Sequence, residues 1–299
     1  MVILVKSFGQ LGNRLFLFAH LVANAAEHGY ALANPCFGRY TRYFVAPAAD
    51  DFAGLPVRVP VSGRPWLERL LGGLLALGQP PRVFRALAAA IGWLPAAAQP
   101  VHLLYLDDHA GTFDLNAPPF VAAARQRVVL LHGWCFRDRP GLLKHAARIR
   151  RLFALVPAHR QAVDALIATC RRTAGVLVGV HIRRGDYATF ADGRYYYDNQ
   201  QYAGFLRQLL PQFGPGARVA FLLCSDEALD LSAFAGLPVH RATGHFVEDL
   251  YALADCDYLL GPPSSFSMWA SFYGQTPLCH LDTADKPVVL ADFAVFLDQ

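Results

Sequence analysis

The 299 residues contain no uninterrupted apolar run of the about 18 residues that a membrane-spanning helix needs. The best candidate, Leu70 to Leu77, carries two glycines and is flanked by Arg69 and Gln79, so it is far too short to span. The opening Met1-Val-Ile-Leu-Val-Lys6 lacks a basic start and a cleavage site, and reads as a first strand, not a signal peptide. There is no Cys-x-x-Cys pair among Cys36, Cys135, Cys170, Cys224, Cys256 and Cys279, and no histidine spacing that suggests zinc. Cys224 and Cys279 stand in apolar runs, where a free thiol behaves as a small hydrophobe; reduced thiols and a cytoplasmic location are expected. A basic stripe is also missing. The net charge is only +4 and the arginines are dispersed without interleaved aromatics, so nucleic acid is not the expected partner. Charged residues are scarce as well, 17% against 54% hydrophobic, which excludes a disordered chain and leaves ample material for a buried core.

At this length two domains of similar size are expected, with a cleft between them. In the C-terminal half, apolar strand-length runs at Val176 to Ile182, Val219 to Cys224, Asp257 to Leu260 and Pro277 to Leu281 alternate with helix-length segments at Asn199 to Leu210, Val247 to Ala254 and Phe266 to Tyr273. Short buried strands alternating with helices make a parallel sheet covered on both faces, the doubly wound nucleotide-binding pattern. The N-terminal half opens in the same manner, with a strand at Val2 to Val5, a glycine-rich turn, and a helix from about Asn13 to His28 ended by Gly29. Residues 60–100 then carry two apolar stretches of helical length, Leu67 to Leu77 and Val83 to Leu94. They read as a helical insertion, a packed hairpin, with an acceptor-binding or membrane-surface role as the alternative. A partly helical connection between Arg148 and Thr173 joins the halves, which puts the domains at 1–172 and 173–299. No internal repeat is present.

Four stretches concentrate the chemistry. Gly179-Val-His181-Ile-Arg183-Arg184-Gly185-Asp186-Tyr187 places a burst of charge directly after a buried strand, where ligands bind in doubly wound sheets. Alternation puts His181 and Arg183 on one face and Ile182 and Arg184 on the other. A desolvated guanidinium needs an anion, and its fork fits a phosphate, so Arg183 is the expected clamp. Arg184 and Asp186 pairing merely to close a turn is the plainer reading of those two. Phe8-Gly9-Gln10-Leu11-Gly12-Asn13 follows the first strand; its glycines admit close backbone approach, while an ordinary turn with Asn13 as helix cap explains it equally well. Pro262-Pro263-Ser264-Ser265-Phe266-Ser267 offers hydroxyls and amides at a helix start, either as a second anion cradle or as plain capping. Cys224-Ser225-Asp226-Glu227 ends a strand with carboxylates that either receive a guanine edge or cap a following helix.

Taken in order and spacing, Gly9-Gln-Leu-Gly-Asn13, His181-Ile-Arg-Arg-Gly-Asp186, Ser225-Asp-Glu227 and Glu248-Asp-Leu…Cys256…Ser264-Ser-Phe-Ser267-Met-Trp269 resemble the bacterial alpha-1,2-fucosyltransferases. Leu131-His-Gly-Trp134 is similar to that family's Gly-Tyr-Trp-Gln segment, altered here by Cys135-Phe136. The His-x-Arg-Arg-x-Asp element is shared with the alpha-1,6- and protein O-fucosyltransferases. The resemblance covers the first 30 residues and most of 130–280. It implies a GT-B-like α/β arrangement of two Rossmann-type domains, the first on the acceptor side and the second binding the nucleotide sugar. It also implies GDP-fucose as donor, a glycan hydroxyl as acceptor, inversion at the anomeric carbon, and neither metal nor cofactor. By the same resemblance Arg183 sits on the beta-phosphate, His181 and Asp226 near the guanine, Ser264 and Ser265 with Phe266 at the diphosphate, Asn13 close to the reacting carbon, and Gly9, Gln10, Gly12 and Arg184 in the donor-binding set. Glu227 stands where the family usually has a different second acidic residue, and Ala270-Ser271-Phe272 replaces the usual tail of the serine motif.

Asp255-Cys256-Asp257 has the form of the metal-holding motif of other glycosyltransferases, but bridges a helix end and a strand start, away from a strand's carboxyl end. Asp186, Glu248 and Asp249 are unranked candidates for a general base. Transfer of another GDP-sugar on the same fold, or binding of a nucleotide sugar without turnover, are the competing functions.

Overall fold

The computed structural model describes residues 1–62, 64, 66, 68, 72, 73, 76, 78–93, 101–107 and 111–297. Two compact units result, Met1–Val156 and Pro157–Gln299.

The first unit runs β1 (Val2–Leu4), α1 (Leu11–His28), β2 (Leu32–Ala33), α2 (Val45–Ala49), β3 (Val57–Arg58), α3 (Pro81–Gly92), β4 (Val101–Tyr105), β5 (Phe113–Asp114), α4 (Pro118–Gln126), β6 (Val128–His132), β7 (Phe136–Arg137), α5 (Arg139–Lys144) and α6 (Ala146–Leu152). Its main sheet has the order β3-β2-β1-β6-β4, parallel throughout. The chain builds outward from β1 to β3 and then returns to the other side, so strand order reverses between β1 and β6.

α1 starts earlier than its sequence suggests. Gly9 adopts φ +58, the left-handed region, and turns the chain so that Gln10 is the N-cap and Asn13 is already the third residue of the helix. Asn13 therefore caps nothing. A Cβ on Gly9 would lie 2.3 Å from Asn13 Nδ2 and 3.1 Å from Asn13 Cβ, so with its positive φ the turn favours glycine. The other end is as expected: Gly29 at φ +70 donates its amide to Ala25 O, a left-handed C-cap. Of the two apolar stretches in 60–100, Leu67 to Leu77 lies mostly outside the described residues. The second forms α3, led by Pro81 at the first helical position, with Phe84 buried against His132 and Tyr105. No helix among the described residues is long and apolar enough to cross a membrane.

The second unit runs α7 (Pro157–Arg171), β8 (Val176–Ile182), α8 (Asn199–Leu209), β9 (Val219–Ser225), β10 (Val239–Arg241), α9 (Phe246–Ala254), β11 (Tyr258–Gly261), α10 (Ser265–Gly274) and β12 (Leu278–His280). Its sheet is parallel throughout in the order β10-β9-β8-β11-β12. α7 packs on α9, and its arginines reach across: Arg160 pairs with Asp255, and Arg171 forks onto Asp257 at 2.5 and 3.0 Å. The boundary therefore falls at 156/157, and the helix read as a connection belongs to the second half. The same pairs occupy both carboxylates of Asp255-Cys-Asp257, and Asp257 also accepts the amide of Leu177 at 2.7 Å. They lock the amino edge of this sheet.

β8 is buried on both faces and sorts its side chains accordingly. Val178, Val180 and Ile182 join Tyr202, Phe205 and Leu209 of α8 in one core. Gly179 faces the other way, and a Cβ there would lie 2.7 Å from a Leu253 methyl and 3.0 Å from Cys256 Sγ on the α9 side. All six cysteines are free, and five are buried.

Candidate functional site

In the second unit strand order reverses between β8 and β11, and open parallel sheets bind ligands beyond the carboxyl ends of the strands at such a reversal. The His181-to-Asp186 and Pro262-to-Phe266 stretches leave those two strand ends. The sequence motifs thus meet where the topology expects a ligand.

Arg183 is the centre of the charge arrangement. Its side chain is 16% exposed; one terminal nitrogen donates to Asp226 Oδ2 at 2.8 Å and the other to Asp186 Oδ1 at 2.5 Å. Of five guanidinium N–H groups these bonds use two, so Nε–H and one hydrogen on each terminal nitrogen lie outside the hydrogen bonds of the described residues. Its plane also lies near the Tyr187 ring, 5.5 Å from the centroid. The Tyr187 hydroxyl donates to Pro263 O at 2.6 Å, joining the loops after β8 and β11.

Arg184 points elsewhere, as alternation predicts. Its guanidinium donates to Asn199 Oδ1 at the start of α8 and stacks over Tyr196. The turn is not closed by an Arg184–Asp186 pair, because Asp186 goes to Arg183. Asp226 does not cap a helix either; Asp230 caps the next short turn. Asp226 accepts from Arg183 and, through its other oxygen, from the Arg184 amide at 3.0 Å, so both its oxygens orient the clamp. Glu227 accepts the Gly185 amide at 3.2 Å. Gly185 needs its φ of +48 to present that amide. Tyr187 and Asn199 are supporting residues to which the sequence motifs gave no role.

His181 is 6% exposed, with its ring 4.9 Å from that of Phe266, and its Nδ1 has no hydrogen-bond partner among the described residues. Burial, with Arg183 adding to it, pushes its pKa down to about 3, so the imidazole is neutral. Gly261 lets it sit there: a Cβ on Gly261 would lie 2.8 Å from His181 O. Ser264 caps α10, accepting the Phe266 amide at 3.2 Å, while Ser265 and Phe266 open the helix. Capping and an anion-attracting helix end coexist here.

In the first unit Gly9, Gln10, Gly12 and Asn13 follow β1, next to β6 at the other strand-order reversal. Phe8 stacks on Trp134, which follows β6, with centroids 4.7 Å apart and planes 2° apart. Arg14 holds the turn by donating to Gly9 O and Cys36 O. Gly12 is buried within α1.

The three base candidates separate by environment. Asp186 is 63% exposed. Asp249 is buried, accepts from Thr243 Oγ1 at 3.0 Å and the Gly244 amide at 3.2 Å, and closes the loop before α9. Glu248 accepts from His159.

Buried histidines make acid stability testable. In the first unit His20 is also held neutral, at about 4, by burial and by Arg137, and its Nδ1 accepts the Asp138 amide. Both folded values lie below the ordinary 6.5, so the unfolded chain takes up these protons first. Stability from this source is complete above pH 6.5 and falls as pH drops toward 4 and 3, by about 1.4 kcal/mol per pH unit for each histidine. Urea unfolding at pH 6.5 and 5.0 measures the slope. His181→Phe is expected to flatten it, and an unchanged slope would count against a neutral buried His181.

No family model matches the chain, and no curated protein matches its sequence. Solved structures do match its fold. An arginine-to-lysine mutant of Arabidopsis thaliana FUT1 in complex with GDP is 14% identical, covering 98% of this chain and 72% of that one, with a TM-score of 0.62. The fucosyltransferase NodZ from Bradyrhizobium is 18% identical over 94% of this chain and 96% of its own, with a TM-score of 0.57. POFUT1 in complex with GDP-fucose is 13% identical over 92% and 95%, with a TM-score of 0.52. At these identities the likeness is one of fold: an α/β chain with parallel sheets, shared with three kinds of fucosyltransferase.

Proposed function

We propose that this protein is a fucosyltransferase that takes GDP-fucose as donor and transfers fucose, with inversion, to a glycan hydroxyl, in alpha-1,2 linkage. The observation that carries the reading is the Arg183 fork at the β8–β11 reversal, oriented by Asp226 and Asp186 and still holding unused donors. When fucose leaves GDP, negative charge grows on the beta-phosphate oxygen. A guanidinium fixed by carboxylates meets that charge without reorganising, which is how preorganised donors favour a transition state over a ground state. The amides at the start of α10, behind Ser264 and Ser265, supply the second pole of the cradle. The NodZ structures were obtained with GDP and with GDP-fucose, which supports the same donor here.

Neutral His181, wedged against Phe266, has the unpaired ring nitrogen for a base-edge contact, and takes the guanine role together with Asp226 only if Asp226 releases one of its present partners. Asp186 is the most exposed of the candidate bases, the one most open to an incoming hydroxyl. Asn13, with the Gly9-Gln10-Leu-Gly12 turn, enters by motif resemblance as the group near the reacting carbon. Transfer is assigned to Arg183 and backbone amides in place of a cation, and both carboxylates of Asp255-Cys-Asp257 are held by arginines.

GDP is expected to stabilise the fold by RT ln(1 + [L]/Kd), about 2.7 kcal/mol at a hundredfold excess over Kd, and UDP much less. A thermal shift series with GDP, UDP and ADP reads this directly; equal shifts for all three would overturn the guanine assignment. Turnover of GDP-fucose is expected to survive EDTA. Loss on chelation with recovery on adding manganese would replace the arginine mechanism with a metal-assisted one.

A further inference from the structure

The folding of the second unit brings together three side chains that the sequence holds 86 and 89 positions apart: His159 in the first turn of α7, and His245 and Glu248 at the start of α9. His245 is the N-cap of α9 and Glu248 lies three residues on, so both project from the same side of one helix end. His159 comes from the helix packed against it. Each residue offers one ligand atom, and these atoms all lie within 4.8 Å of one another; His159 Nδ1 and Glu248 Oε1 are 2.8 Å apart. The two imidazole rings stack at 4.8 Å. All three side chains are half-buried, with His159 23% and Glu248 14% exposed.

We propose that His159, His245 and Glu248 form a binding site for a zinc-class divalent transition-metal ion that pins α7 to α9. Two neutral imidazoles and a carboxylate are a donor set that such ions favour over magnesium or calcium, which prefer oxygen. Tetrahedral bonds of about 2.0–2.2 Å place ligand atoms about 3.4 Å apart. The longest separation here must close by about 1.4 Å and the His159–Glu248 contact must open by about 0.6 Å, within reach of side-chain rotation. The partial exposure leaves a fourth position to water. Binding replaces the His159–Glu248 hydrogen bond, with Nδ1 of His159 becoming a ligand and the ring proton carried on Nε2. The site is separate from the residues assigned to the donor, and binding, not turnover, tests it.

Titration of the full chain with Zn2+, by calorimetry or by competition with a chromophoric chelator, is expected to show one tight equivalent. Co2+ is expected to give the intense visible bands of a tetrahedral site. His159→Ala, His245→Ala and Glu248→Gln should each weaken binding by more than the tenfold to hundredfold that loss of an outer-shell partner costs. The melting-temperature gain from Zn2+ should vanish in the His159→Ala/His245→Ala double variant. The proposal is overturned if no equivalent binds below millimolar ion, or if the double variant binds as tightly as the parent, which would put the ion on other histidines. Should the variants fail to fold, the parent protein decides alone, a weak octahedral Co2+ spectrum overturning the site.

Discussion

Arg183→Lys is expected to lower the transfer rate about a hundred- to a thousandfold, with a melting temperature close to that of the parent. Lysine keeps the charge but loses the planar fork, so it cannot hold Asp226, Asp186 and a phosphate oxygen at once. The loss of one preorganised donor at a developing oxyanion is worth roughly 2.7–4 kcal/mol, which sets the size of the drop. Arg184→Lys provides the contrast. Its guanidinium serves Asn199 and the Tyr196 ring, so that variant is expected to lose stability while retaining most of its turnover when folded. Donor hydrolysis and transfer rates, measured beside melting temperatures, separate inactive from unfolded protein. A folded but dead Arg184→Lys beside a normal Arg183→Lys would move the clamp by one residue, and normal turnover in both would remove the basis of the functional reading.

The largest expected effect on stability comes from a residue with no part in chemistry. Gly274 ends α10 where it passes the end of α9, and a Cβ there would lie 1.9 Å from Ala254 O, a backbone atom that also accepts from Thr276 Oγ1 at 2.8 Å. Alanine gains about 1 kcal/mol of helix propensity over glycine. Overpacking costs about 1–3 kcal/mol and occasionally more, and an overlap this deep with backbone belongs at the upper end. Gly274→Ala is therefore expected to be destabilised by about 2–3 kcal/mol net. Gly204, inside α8 with open space where its Cβ would go, is expected to respond oppositely, Gly204→Ala gaining up to about 1 kcal/mol. Urea unfolding of the two variants tests the pair, and a Gly274→Ala protein as stable as the parent would show that the helix ends move apart freely.

The second unit was legible because its strands are buried on both faces. Val176–Ile182 reads as one continuous apolar run, and the observed strand has those same limits. The first unit hid its sheet in pieces too short to show a period: Leu32–Ala33 and Val57–Arg58 are two residues each. α7 was mistaken for a connection because only Val163 and Cys170 of its fifteen residues are buried, its hold on the second unit being ionic as much as apolar. Within the candidate site, Arg183 and Arg184, just past the end of β8, turn to different partners, as alternation suggested. The partners did not follow from spacing. Asp226 meets Arg183 across 43 positions and Tyr187 meets Pro263 across 76, contacts fixed by which strands lie side by side. The His159–His245–Glu248 group was invisible for the same reason.

The carboxylates around Arg183 bear on how fast a ligand arrives. Within the second unit, the Arg183 guanidinium and the Arg184 and Gly185 amides face Asp186, Asp226 and Glu227, so even with the charge of the outward-turned Arg184 counted in, this cluster carries one negative charge in excess. An anion drawn to a basic funnel associates faster as salt is removed, whereas one entering a cluster already in negative surplus gains nothing from long-range attraction. The association rate of GDP should therefore depend on ionic strength less steeply than it would at a basic funnel. Discrimination would then fall to the dissociation step, set by how firmly the unused Arg183 donors hold a phosphate beside the two carboxylates that already orient them.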